Sequence, residues 1–139
     1  MHVERTLKNV RDFLEPVWEQ WHFESNSKPI CASQNTCGRS SLFLKRVLEE
    51  RGIKAEWQTG FFVVNGEHKS HSWVKTNHNI IDLTADQFGE AEILIADSND
   101  PRYVLGTDRA LPEFKAKRKQ QVEKIWPLWL AQNPTNEEE

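Results

Sequence analysis

The segment from residue 36 to residue 83 changes its hydrophobic period once, and this change limits the possible folds more than any other feature. From Cys37 to Arg51, apolar residues recur every three or four positions, which predicts a helix. Thr36 is placed to be its N-cap and Gly52 to be its C-cap. Directly afterwards the chain becomes rich in β-forming aromatic and β-branched residues. The sequence therefore predicts a helix that leads straight into a sheet.

The sheet segment is divided by two tight turns. Asn65-Gly66 is the strongest short signal for a β-hairpin, and residues 77–79 form the second turn. The strands are predicted at residues 54–64, 69–76 and 80–83, with a further short strand at 93–95. These three strands, joined by short turns, are typical of an antiparallel meander.

Both ends of the chain have helical periodicity. A helix is predicted over residues 3–22, either kinked at Pro16 or divided there into two pieces. A second is predicted over residues 112–130, interrupted late by Pro127. The fold class is therefore α+β, with helices at both ends and an antiparallel sheet between them. We expect one domain over residues 1–133, followed by a disordered acidic tail at 134–139.

Composition excludes several classes of function. The chain has 139 residues and a net charge of -3, which argues against binding to nucleic acid through phosphate contacts. No apolar run approaches the roughly 20 residues that span a bilayer, and the N-terminus does not resemble a signal peptide. We therefore expect a cytoplasmic protein without membrane contact. The sequence implies no cofactor, and two cysteines do not make a disulfide framework.

Three residue types that support nucleophilic catalysis lie on consecutive elements. Cys37 begins the predicted helix, where the helix dipole favours a thiolate. His71 lies in the second strand and Asp82 in the third, and pairing across the 77–79 turn places residue 82 near residue 73 or 74. Because side chains alternate along a strand, His71 and Asp82 become neighbours on one face. An imidazole there can take the thiol proton, and a carboxylate can orient the ring.

The motifs around these residues resemble the transglutaminase-like branch of the papain-like cysteine superfamily. They are Thr-Cys-Gly-Arg-Ser-Ser, then His-Ser-Trp-Val, then Ile-Asp-Leu-Thr, and the resemblance covers residues 34–89. It implies a papain-like α+β fold in which the catalytic helix packs on the sheet. It also implies that Cys37 is the nucleophile, His71 the general base and Asp82 the orienting residue. The family's proteases, amidases, deamidases and acyl-transfer enzymes share acyl chemistry on amides.

The oxyanion site is less well defined by the sequence. No upstream Trp or Gln lies at a spacing that matches the family pattern. Gln34 is a candidate oxyanion donor by its chemistry alone, together with backbone N–H groups at the helix start. Trp73 and Phe88 are candidates to line a substrate cleft, although core packing is the ordinary role of such residues. Asp86 is a second candidate for the carboxylate that orients His71, but it lies beyond the strand that carries Asp82.

Other readings of the cysteines and histidines stay open. In a purely structural interpretation, Cys37 is a small buried helix residue. Cys31 lies in a polar loop and is expected to have no catalytic role. Cys31, Cys37, His68 and His71 supply zinc-type ligands, but their spacing does not match a zinc finger. Residues 68 and 71 also point to opposite faces of a strand. We therefore expect no metal site.

The preferred hypothesis is a cysteine-dependent hydrolase or acyl-transfer enzyme that acts on peptide or side-chain amides of a peptide or protein substrate. Water is the favoured acceptor, because nothing in the sequence indicates a second substrate site. The alternative is a non-catalytic protein-binding domain on the same scaffold. It would use Trp126 and Trp129, one helical turn apart, together with a sheet edge, if this pair were exposed rather than docked on the core.

Overall fold

The computed structural model describes residues 3–134 and has the predicted α+β composition. The helices are α1 (Val3–Glu24), α2 (Cys37–Glu50) and α3 (Pro112–Gln132), with a short 3-10 helix at Ala85–Phe88. The strands are β1 (Glu56–Val64), β2 (Glu67–Lys75), β3 (Asn79–Asp82), β4 (Leu94–Asp97) and β5 (Tyr103–Leu105). Residues 135–139, most of the predicted acidic tail, lie outside the described residues, and the domain boundary at residue 133 stays a prediction.

The five strands form an antiparallel sheet in the order β4-β3-β2-β1-β5. The predicted meander is its centre, and Asn65 and Gly66 turn the first hairpin with φ values of 50° and 78°. Such positive φ values are what the Asn-Gly pair supplies at low steric cost. Val74 lies opposite Ile81, so the same register places residue 82 opposite residue 73, as predicted.

Strand β5 is the element that the sequence reading missed. It has only three residues, too few to display a period. Its position depends on Gly60, because a Cβ added to Gly60 would lie 2.0 Å from the carbonyl oxygen of Val104. The absent side chain at residue 60 therefore allows β5 to pair closely with β1.

The sheet separates two hydrophobic clusters. The larger one contains the buried residues of all three helices and, from the sheet, Val74 and Ile81. The smaller one lies on the other face and is mostly aromatic, with Phe62, Trp73 and Tyr103 among its members. The helices therefore cover one face of the sheet, while His71, in register with Trp73, lies on the aromatic face.

The division of the N-terminal helix into two pieces was wrong, whereas the docking of Trp126 and Trp129 on the core is confirmed. Helix α1 runs through Pro16 as one element, because Leu14 and Trp18 on either side of it are fully buried in the core and hold the turn. Trp126 and Trp129 are 9% and 1% exposed and pack edge-to-face on Phe43. They dock α3 on the body of the protein and are not available as a partner surface.

Candidate active site

The start of helix α2 is held by a chain of buried hydrogen bonds. The indole Nε1 of Trp18 donates to Ser40 Oγ at 2.8 Å, and Ser40 Oγ donates to Thr36 Oγ1 at 3.1 Å. Thr36 Oγ1 then donates to the carbonyl of Ser33 at 2.8 Å. Thr36 occupies the predicted N-cap position, but its side chain makes no capping bond to the helix. The network instead fixes the first turn from the inside, and with it the position of Cys37.

His71 is held rigidly within the aromatic cluster. Its side chain is 0% exposed, and its Nε2 lies 2.7 Å from Asp82 Oδ2. The ring packs edge-on against Phe88, with ring centroids 4.9 Å apart, and lies 6.1 Å from the ring of Trp73. These contacts leave the imidazole one orientation, with Nδ1 directed away from the carboxylate.

The carboxylate of Asp82 is fully buried and accepts four hydrogen bonds. Oδ2 accepts from His71 and from the Tyr103 hydroxyl, which lies 2.7 Å away. Oδ1 accepts from the backbone N–H of Thr84 at 3.0 Å and from its hydroxyl at 3.3 Å. Burial and the charge of Asp82 raise the pKa of Tyr103, so its hydroxyl stays a donor. Both carboxylate oxygens are thus satisfied, and the group is fixed.

Cys37 lies at an open edge of the sheet. Strand β3 pairs with β2 only at Val74 and Lys75, so the earlier part of β2 has no β3 neighbour. At this edge, the backbone N–H of Ser72 lies near the sulfur of Cys37 and lowers the pKa of the thiol. The residue is partly exposed, in contrast to His71 and Asp82. Of the three residues, Cys37 is therefore the one whose side chain solvent or a substrate can reach.

The pKa values of the thiol and the imidazole shift in opposite directions. Burial raises the pKa of Cys37, but the neighbouring His71 ring and its charge, with the Ser72 N–H, bring it below its ordinary value. Burial lowers the pKa of His71, but the hydrogen bond to Asp82, the neighbouring thiol of Cys37, and the charges of both raise it to about 9. Both shifts favour a thiolate beside an imidazolium.

Nδ1 is the ring nitrogen available to the sulfur, since Nε2 is bonded to Asp82. It is buried and lacks a partner with hydrogen-bond geometry among residues 3–134. Bonds of this kind are often long in a free enzyme and shorten when substrate binds. An unpaired buried nitrogen facing a partly exposed thiol is an arrangement suited to proton transfer.

The comparisons with known proteins agree with these motifs. A family model described as the transglutaminase-like superfamily matches residues 19–91, just over half of the chain. This chain belongs to the transglutaminase-like superfamily. The matched region includes Cys37, His71 and Asp82, and members of the superfamily are often cysteine enzymes. Strands β4 and β5 and helix α3 lie outside it. Neither the search of curated proteins nor the search of solved structures found a match.

In this transglutaminase-like protein, the two further site candidates lie in different surroundings. Gln34 is partly buried, and its Oε1 accepts a hydrogen bond from the N–H of Ile30 at 2.7 Å, so its amide NH2 is the part left for a ligand. Trp73 is 1% exposed and donates through Nε1 to Gln58 at 3.0 Å. It supports the ring of His71 within the cluster and does not line a surface cleft.

The rival carboxylate has a different role. Asp86 lies in the 3-10 helix, where Oδ2 pairs with the buried guanidinium of Arg11 at 2.9 Å and Oδ1 accepts from Ser33. Arg11 also donates to the carbonyl oxygens of Leu83 and Glu92. Asp86 therefore ties α1 to the segment after β3, and Asp82 is the carboxylate that contacts His71.

The zinc candidates do not converge. His68 is exposed and packs against Phe61, while His71 is buried on the other face of β2. The Cys31 sulfur lies 3.5 Å from Ser33 Oγ. Within residues 3–134, no group of three or more His, Cys, Asp or Glu side chains is placed to hold a metal ion.

None of the described helices combines the length and apolar character needed to cross a bilayer.

Two contributors to the site were missed by the sequence reading. Tyr103 donates to Asp82 from a strand too short to recognise, although it is the only tyrosine in the chain. The Ser72 N–H acts through the backbone, so its side chain carries no signal. The first could have been suspected from its rarity, but its distance from Asp82 is set by the pairing of β5 with β1.

Proposed function

We propose that this protein is a cysteine-dependent hydrolase or acyl-transfer enzyme that acts on peptide or side-chain amides, with a papain-like arrangement of its catalytic groups. The observation that carries the proposal is the opposed pKa shift of Cys37 and His71, with Asp82 bonded to the far side of the ring. A thiol whose pKa is lowered beside its own proton donor is what covalent catalysis by cysteine requires.

In the proposed reaction, the Cys37 thiolate attacks the amide carbonyl, and the C=O electrons move onto oxygen. The resulting oxyanion is stabilised by the first N–H groups of α2, which have no partner within the helix, and by the amide NH2 of Gln34. The His71 Nδ1–H protonates the leaving nitrogen as the C–N bond breaks. The products of this half are a free amine and a thioester on Cys37.

The second half regenerates the enzyme. Nδ1, now neutral, takes a proton from water as the water oxygen attacks the thioester carbonyl, and the C–S bond breaks to release a carboxylic acid and the thiolate. Asp82 holds the Nε2–H throughout, which keeps Nδ1 directed at the reacting atoms. An amine in place of water would complete a transamidation. We propose water, on the ground that the sequence indicates no second substrate site. We also propose a cytoplasmic location, where Cys37 would be kept as a free thiol.

The first experiment uses p-nitrophenyl acetate, an activated ester that reports on the nucleophile without knowledge of the substrate. We expect a burst of p-nitrophenol and an acetyl group on Cys37, located by peptide mass spectrometry. Cys37→Ser and His71→Ala should abolish the burst, and Cys31→Ser should retain it. A folded protein that shows no burst, or acetylates Cys31 and Cys37 equally, would contradict the proposal.

A second experiment defines the reaction class. The protein is incubated with a mixed peptide digest and a labelled primary amine. New peptide termini would indicate a peptidase, conversion of Gln to Glu a deamidase, and incorporation of the amine a transamidase. Cys37→Ser is the control, and we expect one of the two water-using outcomes.

A further inference from the structure

A groove begins beside the candidate nucleophile. It has a volume of about 280 Å³ and separates the start of α2 from the start of α3. Gly38 and Arg39 line it on one side, and Phe114, Lys117 and Arg118 line it on the other. This volume lies just below the usual range of ligand pockets, roughly 300–1,000 Å³, and is suited to one or two peptide side chains.

The groove is positively charged in a chain whose net charge is -3. Three cations line it, and no Asp or Glu is among its described lining residues. Arg118 pairs with Asp108 at 2.7 Å, but Arg39 and Lys117 form no ion pair within the described part of the chain. Arg39 donates to Gln121 Oε1 at 3.3 Å and to the carbonyl of Asn35 at 3.1 Å, which leaves its positive charge unneutralised and three of its five N–H groups for an anion.

The positive charge continues along α3 into a neighbouring groove of about 390 Å³, which shares Arg118. The two glutamates there are already engaged, since Glu49 pairs with Lys45 and Glu123 pairs with Arg46, each at 2.9 Å. The other lysines of this second groove, at residues 115 and 119, have no carboxylate partner among residues 3–134. The unbalanced charge therefore lies on the α3 side of the site.

The first groove is close to the sulfur as well as positive. Gly38 follows Cys37 directly, and a Cβ added to Gly38 would lie 3.3 Å from Arg118 Cδ, so this glycine allows α3 to approach. Gly38 and Arg39 both line the groove within two residues of Cys37, so the groove begins at the turn of α2 that carries the thiol. The guanidinium of Arg39 lies over Trp21, 4.2 Å from the ring centroid, which fixes its position.

We propose that this groove binds an acidic side chain of the substrate, next to the amide that Cys37 attacks, so that the substrates are acidic peptide segments. The inference rests on the proposed function and names its substrate class. Arg39, whose charge no carboxylate neutralises, supplies the planar donors that suit a carboxylate, and Lys117 adds an exposed charge, while Arg118 is held by Asp108 and forms the wall of the groove. Phe114, 58% exposed, offers an apolar wall for the methylene groups of a Glu side chain.

The first test compares two alkylating agents of nearly equal shape, anionic iodoacetate and neutral iodoacetamide, by their rates at Cys37. Lys117→Glu should lower the ratio of iodoacetate to iodoacetamide rates by about threefold at low salt, and added salt should reduce the difference. Lys124→Glu makes the same charge change about 10 Å farther along α3 and should have a smaller effect. Equal ratios in the wild type and both variants would overturn the inference.

The second test uses peptides and does not depend on catalysis. Tetraglutamate and tetralysine are each titrated into 15N-labelled protein, with the backbone amides of Gly38 and Phe114 as reporters. Tetraglutamate should shift both amides, and Lys117→Glu should weaken this binding severalfold. The inference fails if neither peptide shifts these amides or if tetralysine does so equally.

The two failures are distinguishable. The proposed function is judged by the burst and by the dependence of Cys37 on His71, whereas the groove is judged by the tetraglutamate shifts. If Cys37 is reactive but the groove shows no preference for anions, the proposed function is retained and the proposed substrate class is wrong.

Discussion

The substitution Asp82→Asn isolates the contribution of the buried carboxylate. Asparagine has nearly the same shape and can still hydrogen-bond with Thr84, but it carries no charge. His71 therefore keeps its place in the aromatic cluster while its Nε2 loses an anionic partner. The loss of thiolate at Cys37 then passes through the imidazole, to whose far side Asp82 bonds, while loss of the Asp82 charge itself, which raises the pKa of Cys37, acts weakly in the opposite direction.

The magnitude follows from the pKa of His71. Its rise from an ordinary 6.5 to about 9 corresponds to about 3 kcal/mol in favour of the imidazolium. Burial lowers this pKa and the neighbouring Cys37 raises it, so without Asp82 it should fall from about 9 towards 6.5. At pH 7.5 the ring would change from about 97% protonated towards about 10%, the fraction for a pKa of 6.5. A thiol without its imidazolium returns towards its ordinary pKa of 9.0, where about 3% is thiolate at this pH.

We therefore expect Asp82→Asn to slow alkylation of Cys37 by iodoacetamide roughly three- to tenfold at pH 7.5, because the smaller thiolate fraction is only partly offset by the greater nucleophilicity of each thiolate. The rate is followed by mass spectrometry, and the imidazole pKa by NMR of labelled histidine. Asp12→Asn, which removes an exposed carboxylate, is the control. A rate within twofold of the wild type, with the titration of His71 unchanged, would refute the reasoning.

The same pair makes stability depend on pH. The folded-state pKa of His71 is raised, so its contribution to stability is complete below 6.5 and is lost as the pH rises through about 9. Urea unfolding at pH 6 and pH 10 should show this loss in the wild type and a smaller one in Asp82→Asn. Equal pH dependence of the two proteins would mean that the carboxylate does not support the imidazolium.

Three further changes test the surroundings of the site by urea unfolding. Tyr103→Phe removes a donor to Asp82 and should lower the free energy of unfolding by about 2 kcal/mol; no change would mean that this bond is not formed in solution. Gly60→Ala should displace β5, seen as faster hydrogen exchange of its amides, and unchanged exchange would contradict the close approach. Trp129→Ala should lower the free energy of unfolding by about 3–5 kcal/mol and Leu128→Ala by less than about 0.5, and similar effects would refute the docking of α3.

The pairing of His71 with Asp82 could be predicted from the sequence because local signals determine the strands that carry them. Thr36 marks the start of α2, and Asn65-Gly66 and the turn at 77–79 set the register of three consecutive strands. That register is enough to bring His71 and Asp82 together, since each turn fixes which residues face each other. The remaining link, from the sheet to Cys37, came from the family resemblance and not from any local pattern.

The parts that were missed depend on contacts between distant segments. Tyr103 reaches Asp82 only because Gly60 permits β5 to pair, and no pattern within β5 reports this. Helix α1 passes through Pro16 because tertiary packing outweighs a local preference. The docking of Trp126 and Trp129 was not missed, since two tryptophans one helical turn apart ordinarily belong to a core, and their packing on Phe43 confirms it.

The central claim is that Cys37 and His71 form a thiolate–imidazolium pair. The most direct measurement is the ultraviolet absorbance of the thiolate against pH, taken as the difference between the wild type and Cys37→Ser. We predict that the thiolate signal persists well below the ordinary thiol pKa of 9.0 and that His71→Ala moves it towards that value. A thiolate that appears only near pH 9.0 in the folded wild type, with or without His71, would contradict the account.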